Sequence, residues 1–139
     1  MSKKILRIEF DYPLTLIGIS SSIKDYRLCW HINKEFAFNF IRTEDICMLN
    51  DQGEEMYFSK FESKIKNLEA ALYLFSNKCS NGYIIPESKE SDYFFMSTEE
   101  LPDEELHDIL RILNKIEVIQ TAYIIDPYSL KSKENLLFY

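Results

Sequence analysis

Two carboxylates in the polar stretch SNGYIIPESKESDYFFM, residues 80–96, are the side chains best placed for acid–base chemistry. Glu87 and Asp92 lie there between two apolar segments. A general acid and base pair needs a cleft and a raised pKa on one member, and the sequence indicates neither. We therefore predict a structured turn, in which the carboxylates accept hydrogen bonds or pair with a base such as Arg27 or Arg42.

Three consecutive serines before a predicted helix form the best candidate for a small-anion site. Ser20, Ser21 and Ser22 supply hydroxyls, and Lys24 and Arg27 follow closely. Free N–H groups at a helix start, hydroxyls and nearby cations suit a carboxylate or a phosphate. Serines in this position also cap helices, and we favour capping as their role.

Metal and nucleophile chemistry have little support in the sequence. Cys29 and His31 would point about 200° apart on a helix, His107 stands alone, and no CxxC or HExxH motif occurs. The chain has only three glycines, and they form no nucleotide-phosphate loop. A catalytic pair of Cys29 with His107 has no local support. We predict no bound metal and no cofactor, and a core position for Cys29. The sequence favours a non-enzymatic protein over an enzyme and leaves both open.

The charge distribution limits the partners. The net charge is −7, and residues 87–108 contain nine acids and one base, so that this span carries −8 and the remainder +1. Nucleic-acid sites concentrate Lys and Arg, and no apolar run approaches the roughly 20 residues that span a bilayer. Three widely spaced cysteines suit a reduced compartment. The sequence therefore predicts a cytoplasmic protein with neither a nucleic-acid nor a membrane partner.

The elements that position these side chains alternate between helical and strand patterns. Apolar periodicity predicts helices over 23–36 and 102–115, the second with three acids in its first turn. Strands joined by a hairpin loop at 63–67 are predicted over 5–10, 55–62, 68–75, 93–96 and 118–125. This order predicts one α+β domain over residues 1–139, an antiparallel or mixed sheet of about five to six strands with two amphipathic helices.

Four aromatic residues and the C terminus are predicted to pack on the body of the domain. Phe36, Phe38 and Phe40 alternate as in a strand, and Trp30 flanks the apolar stripe of the first helix. We predict these four as core residues rather than a ligand cage. Residues 136–139 are apolar and are predicted to dock.

The polar stretch also carries a resemblance to a known family. IPESKESDY, residues 85–93, resembles the signature of the IPExxxVDY family, small bacterial proteins of uncharacterised role, with Ser91 in place of the valine. Residues 16–36 and 121–138 look like the same family. The resemblance implies a stand-alone bacterial cytoplasmic protein and supplies no catalytic residue. Serine in place of valine predicts that position 91 lies outside the deep core.

Two functions stay open from the sequence. The preferred one is a non-enzymatic binding or protein-interaction module, whose partner is another protein or a second copy of the chain. The alternative is a small enzyme or ligand-binding protein with its site between the helix start at 20–27 and the turn at 87–93. The candidate ligand or interaction residues are Ser20, Ser21, Arg27, Glu87, Asp92 and Tyr93.

Overall fold

The fold, a computed structural model, is described for residues 13–64 and 71–139. Two helices lie in these ranges, α1 at Asp25–Glu35 and α2 at Asp103–Lys115. Short 3-10 segments cover Pro86–Ser88, Pro127–Ser129 and Lys133–Leu136. The strands are β1 Thr15–Ser20, β2 Ile41–Arg42, β3 Ile46–Leu49, β4 Glu55–Phe58, β5 Lys60–Lys64, β6 Ala71–Ser76, β7 Lys78–Cys79, β8 Gly82–Tyr83, β9 Tyr93–Ser97 and β10 Thr121–Ile125.

A six-stranded antiparallel sheet forms the centre of the described fold, in the order β10-β1-β9-β6-β5-β2. Two separate hairpins, β3–β4 and β7–β8, accompany it. The prediction of an α+β fold with about six strands and two helices is confirmed.

The sheet is buried on both faces, which explains why its central strands are almost wholly apolar. On one face, Ile17, Leu74 and Phe95 pack in a cluster with side chains of α1 and α2. On the other face, Phe75 and Phe94 pack with the β3–β4 hairpin and the C-terminal segment. Fully burying such a side chain contributes about 1.5 to 3 kcal/mol. Successive residues of a strand point to opposite faces, so one central strand supplies both clusters.

Both helices lie where the apolar periodicity predicted them. Helix α1 buries Leu28, Cys29 and Ile32 against the sheet. Helix α2 begins after Pro102, carries three acids in its first turn and ends at Lys115, an order of charges that the helix dipole favours. The boundaries differ from the predicted ones by two residues at most.

The predicted core position of Trp30 is wrong, because its side chain is 57% exposed. The predicted strand through the phenylalanine row is also wrong, since the segment before β2 pairs with no strand among the described residues. Phe40 is nevertheless buried, and Phe36 and Phe38 are half-buried against the helix-side cluster. The alternation reflects an extended segment that lies on the sheet rather than a strand within it.

The predicted strand over 55–62 is two strands, because the chain changes layer at Ser59. Residues up to Phe58 pair with β3, and residues from Lys60 onward join the main sheet. Strand β5 then pairs with β6 as the predicted hairpin requires. The predicted strand at 5–10, most of the predicted loop at 63–67 and residues 68–70 lie outside the described residues.

The C terminus docks on the sheet as predicted. Leu136 is fully buried. The Phe138 ring lies 5.0 Å from the Phe75 ring and 5.2 Å from the Tyr73 ring, in edge-to-face contacts that aromatic pairs prefer.

Gly18 is the glycine that the packing requires. A Cβ atom at this position in β1 would lie 2.5 Å from the Tyr123 ring and 2.6 Å from Ser91 Oγ. We expect Gly18→Ala to lower the free energy of unfolding by about 1 to 3 kcal/mol, the usual cost of overpacking. Chemical denaturation measures the change. Gly82→Ala is the control, since its new methyl would meet the flexible end of Met56; equal losses in the two variants would contradict the packing argument.

Candidate interaction site

Residues 84–92, the middle of the polar stretch, form a turn that one buried side-chain amide holds together. The Asn77 side chain donates from Nδ2 to the carbonyl oxygens of Ile85, Ser88 and Ser91 at 3.3, 2.9 and 3.0 Å. Its Oδ1 accepts the Ile85 N–H at 2.7 Å. Asn77 is fully buried, where polar groups must find partners. The turn is therefore held by an amide that lies outside the stretch itself.

A chain of hydroxyls completes the inside of the turn. Ser91 is fully buried, and its Oγ lies 2.8 Å from Ser88 Oγ and 2.5 Å from the Tyr123 hydroxyl. The prediction that position 91 lies outside the deep core is wrong. A serine is stable there because its hydroxyl is satisfied on both sides.

Asp92 holds the turn to the end of β1. Its carboxylate accepts the Ser21 N–H at 2.8 Å and pairs with Lys78 Nζ at 2.7 Å. The predicted role in hydrogen bonding and ion pairing is confirmed, but the base is Lys78 and neither Arg27 nor Arg42. Lys78 follows directly after Asn77, which places its side chain at the same turn.

Glu87 faces a different segment from Asp92. Its carboxylate accepts the backbone N–H and the hydroxyl of Ser132, at 2.7 and 2.9 Å. Each carboxylate thus holds a different backbone segment, and we call the contact of Glu87 with Ser132 the Glu87 clamp. The two carboxylates do not form the acid and base pair of a catalytic site.

The Glu87 clamp predicts a pH response of the C-terminal segment. Partial burial acts to raise the pKa of Glu87, but hydrogen bonds from Ser132 and from the backbone N–H groups of Glu87 and Lys131 together outweigh it and lower the pKa below its ordinary value of 4.5. A depressed pKa means that the clamp stabilises the fold above pH 4.5 and weakens as the pH falls through the folded pKa. We expect the Ser132 amide resonance to titrate with a midpoint below 4.5. A midpoint at or above that value would contradict the clamp, and Ser132→Ala should move it upward.

The serines before α1 are not helix caps. The N-cap residue is Lys24, and no side chain caps the helix. Ser20 Oγ donates to the Glu90 carbonyl, and Ser21 Oγ donates to the Val118 carbonyl at 2.7 Å. The capping prediction is wrong because both hydroxyls tie the end of β1 to neighbouring loops.

The helix start and the turn do meet, through Tyr93. Its hydroxyl donates to the Ile23 carbonyl at 2.6 Å. Burial raises the pKa of Tyr93 to about 12, and the negative charges of Asp25 and Asp92 add to the effect. A tyrosine in this state is a hydrogen-bond donor that joins two segments and does not act as a base near neutral pH.

The groove left between these segments is shallow and polar, with a volume of about 390 Å³. Arg42 pairs within it with Asp45 at 2.7 Å and lies 3.9 Å from Asp25. Lys78, which also lines the groove, pairs with Asp92. Two of its three cations are already paired, and the third, Lys24, is exposed, so the groove offers a small anion little uncompensated charge.

Cys29 is inert where the fold places it. The thiol is buried beneath α1, and Sγ donates to the Phe40 carbonyl at 3.6 Å. Burial, with help from Asp25, raises the pKa of the Cys29 thiol to about 11, whereas a nucleophilic cysteine needs a lowered pKa. His107 lies on the exposed side of α2, so the structure does not support a pairing with Cys29.

The outward face of α1 presents a cluster of aromatic and basic side chains, here called the α1 surface: Tyr26, Arg27, Trp30, His31 and Lys34. Tyr26 and Trp30 are 61% and 57% exposed. The first four residues line an open cavity of about 460 Å³. The rings of Trp30 and His31 meet edge to face at 4.9 Å, and Lys34 Nζ lies 5.1 Å from the Trp30 ring. The helix holds these side chains while its other face is packed against the sheet.

Helical periodicity predicts that Trp30 points away from the core. At 100° per residue, Trp30 points about 150° away from the centre of the stripe formed by Leu28, Cys29 and Ile32. The prediction of a core position for Trp30 rests on its apolar side chain and is inconsistent with its direction on the helix. Of the predicted candidate site residues, only Arg27 belongs to the α1 surface. Ser21 and Asp92 bind each other, Ser20 and Tyr93 bind backbone carbonyls of Glu90 and Ile23, and Glu87 lies at the C-terminal segment.

Arg27 and Lys34 carry charges that no described acid neutralises in an ion pair. Of the arginines in the described ranges, Arg42 and Arg111 each pair with an aspartate, whereas Arg27 forms no ion pair there. Lys34 also forms no ion pair with a described residue and rests on Trp30 instead. The α1 surface therefore combines exposed rings with available positive charge.

A larger groove, of about 830 Å³, runs along the edge strand β2. Phe38 and Ile41 supply its apolar part, and Glu62 and Lys64 carry opposite charges. The α1 surface is the better-defined site because all its residues lie on one helix.

Within the described ranges, neither helix is long and apolar enough to cross a membrane. The same ranges hold no group of three or more His, Cys, Asp or Glu residues arranged to bind a metal ion. Comparisons with family models, curated proteins and solved structures found no match to the chain. The IPExxxVDY resemblance therefore stays a prediction.

Proposed function

We propose that the chain is a non-enzymatic protein-binding module and that the α1 surface is its binding site. The observation that carries this proposal is that Trp30, the single tryptophan, is more than half exposed beside exposed Tyr26 on a helix packed on its other face. Tryptophan, tyrosine and arginine dominate the binding energy of protein interfaces. An exposed tryptophan on a rigid element loses little conformational freedom on binding.

The charge of the surface defines the partner's chemistry. Arg27 and Lys34 have no ion-pair partner among the described residues, in a chain of net charge −7. A partner that places acidic side chains around an apolar pocket for Trp30 satisfies both features. Such complementarity mainly sets specificity and the association rate.

The alternative function, a small enzyme or ligand-binding protein, has one observation in its favour. A groove does lie between the helix start and the turn, lined by Lys24, Lys78 and Tyr93 among others. Two of its three cations, Arg42 and Lys78, are paired with the protein's own acids and leave only Lys24, and this favours the interaction module. We also propose a cytoplasmic location, because the chain has three widely spaced cysteines and the described ones are free.

A comparison of three baits in a native bacterial extract tests the proposal. The wild-type chain, Arg27→Glu/Lys34→Glu and Leu49→Ala are captured in parallel, and bound proteins are quantified by mass spectrometry. Leu49 is 65% exposed on the β3–β4 hairpin, over the opposite face of the sheet. We expect at least one specific protein that Leu49→Ala retains and the charge-reversed bait loses. Equal capture by all three baits of every bound protein, untagged copies of the chain itself included, would refute the α1 surface as the site.

A further inference from the structure

We propose that the partner of the α1 surface is a second copy of this chain, which binds through the acids that precede and begin α2. The inference rests on the proposed function and names its partner. These acids, here called the acidic surface, are all exposed: Glu99, Glu100, Asp103, Glu104 and Glu105.

The acidic surface has charge available for a partner. None of its five carboxylates forms an ion pair with a residue in the described ranges, where the next acid, Asp108, is paired with Arg111 at 3.0 Å. The helix dipole favours acids at this position but leaves their outward oxygens in solvent. The acidic surface and the α1 surface are thus opposite in sign, and neither is neutralised by ion pairs within residues 13–64 and 71–139.

An apolar contact for Trp30 lies next to Glu105. Ile112 is half-buried and follows Glu105 by seven residues, which places it along the same side of the helix. Ile109, four residues after Glu105, packs partly against the helix-side core cluster and adds its outer part to this contact. A ring of Trp30 could pack there while Arg27 and Lys34 reach the carboxylates. The same pairing of an apolar centre with a charged rim is common in protein interfaces.

The signs of the charges limit the kinds of assembly. A symmetric contact of two α1 surfaces would bring Arg27 and Lys34 of both copies together, and like charges oppose that contact. The α1 surface of one copy therefore contacts the acidic surface of another, either reciprocally in a two-fold dimer or head to tail in a ring or an open chain. In each case the associated fraction should rise with protein concentration.

A charge-exchange experiment tests this interface. One variant, Arg27→Glu/Lys34→Glu, has two negative surfaces, and the other, Glu104→Lys/Glu105→Lys, has two positive ones. Each alone should require at least about tenfold more protein than the wild type to associate, because both surfaces repel. An equimolar mixture should associate again, since each surface then finds an opposite one. Sedimentation velocity measures association, and high salt should weaken it.

Tryptophan emission shows whether the assembly uses the α1 surface. Trp30 is the only tryptophan, so its emission should shift to shorter wavelength, and its quenching by acrylamide should fall, as the wild type associates. Leu49→Ala should behave as the wild type.

Three results would overturn the second-copy proposal. They are a wild type that stays monomeric at every concentration, association that neither charge reversal changes, and an assembled state in which Trp30 remains open to acrylamide. If the wild type is monomeric and yet the extract experiment still finds a protein that depends on Arg27 and Lys34, the partner is foreign and the proposed function stands. If both experiments are negative, the proposed function fails as well.

Discussion

Asn77→Asp is expected to lower the free energy of unfolding by about 3 to 5 kcal/mol at neutral pH, the cost of an uncompensated buried charge. The amide nitrogen of Asn77 donates to the carbonyl oxygens of Ile85, Ser88 and Ser91. A carboxylate oxygen in its place is an acceptor facing three acceptors. The variant has the same shape as the wild type, so the loss reports the missing donors and the added charge rather than a cavity.

The loss of unfolding free energy in Asn77→Asp should increase with pH. Burial among carbonyl oxygens raises the folded pKa of the new carboxyl group above its unfolded value of about 3.9. The variant therefore loses stability as the pH rises from the unfolded pKa towards the folded one, and it regains part of that stability in acid. Urea denaturation at several pH values measures the trend.

Asn50→Asp is the matched control for this variant. Asn50 lies in the turn between β3 and β4, where its Oδ1 accepts the backbone N–H groups of Gln52 and Glu54. A carboxylate can accept both bonds. It loses the bonds that Nδ2 donates to Glu54 Oε1 and to the Asn81 carbonyl oxygen, but those groups are open to water, so the cost should stay below about 1 kcal/mol. Similar losses for the two variants, or no loss for Asn77→Asp, would show that Asn77 does not organise the turn.

Trp30→Ala is expected to separate binding from stability. Its affinity for the partner should fall by more than about 2 kcal/mol, roughly 30-fold in Kd, as for an interface hot spot. Its free energy of unfolding should change by less than about 1 kcal/mol, because an exposed side chain makes few contacts. Isothermal titration and chemical denaturation measure the two quantities on the same preparation.

Phe40→Ala provides the opposite pattern. Phe40 is buried, and its ring lies 5.9 Å from those of Phe38 and Phe95. Its truncation should cost about 3 to 5 kcal/mol of stability while the folded fraction keeps its affinity. If Trp30→Ala lost much stability and kept its affinity for the partner, Trp30 would have a structural role and no role in binding.

Local patterns in the sequence predicted the helices and the fold class because each depends on neighbouring residues. The stripe of Leu28, Cys29 and Ile32 and the acids at the start of α2 are readable within a few turns of helix. The alternation of Phe36, Phe38 and Phe40 could not distinguish a strand from an extended segment packed on the sheet, because both show the same period.

The interior of the turn could not be predicted because its partners are distant in the sequence. Ser21 and Asp92 are separated by 71 residues, and Ser91 and Tyr123 by 32. Lys78 could not be predicted as the base for Asp92, because nothing in its local sequence distinguishes it from the other lysines. The α1 surface was predictable from the helical angle of Trp30 alone, and only its exposed fraction required the structure.

Photo-crosslinking from the α1 surface tests the central claim most directly. The photoreactive residue p-benzoylphenylalanine replaces Tyr26 in one strain and Leu49 in another, and living cells are irradiated. Both side chains are more than half exposed, on opposite sides of the sheet. The account predicts a discrete protein adduct from position 26, absent from position 49 and lost when Arg27→Glu/Lys34→Glu is added. Irradiated cells that give no adduct from position 26, or the same adducts from both positions, would contradict it.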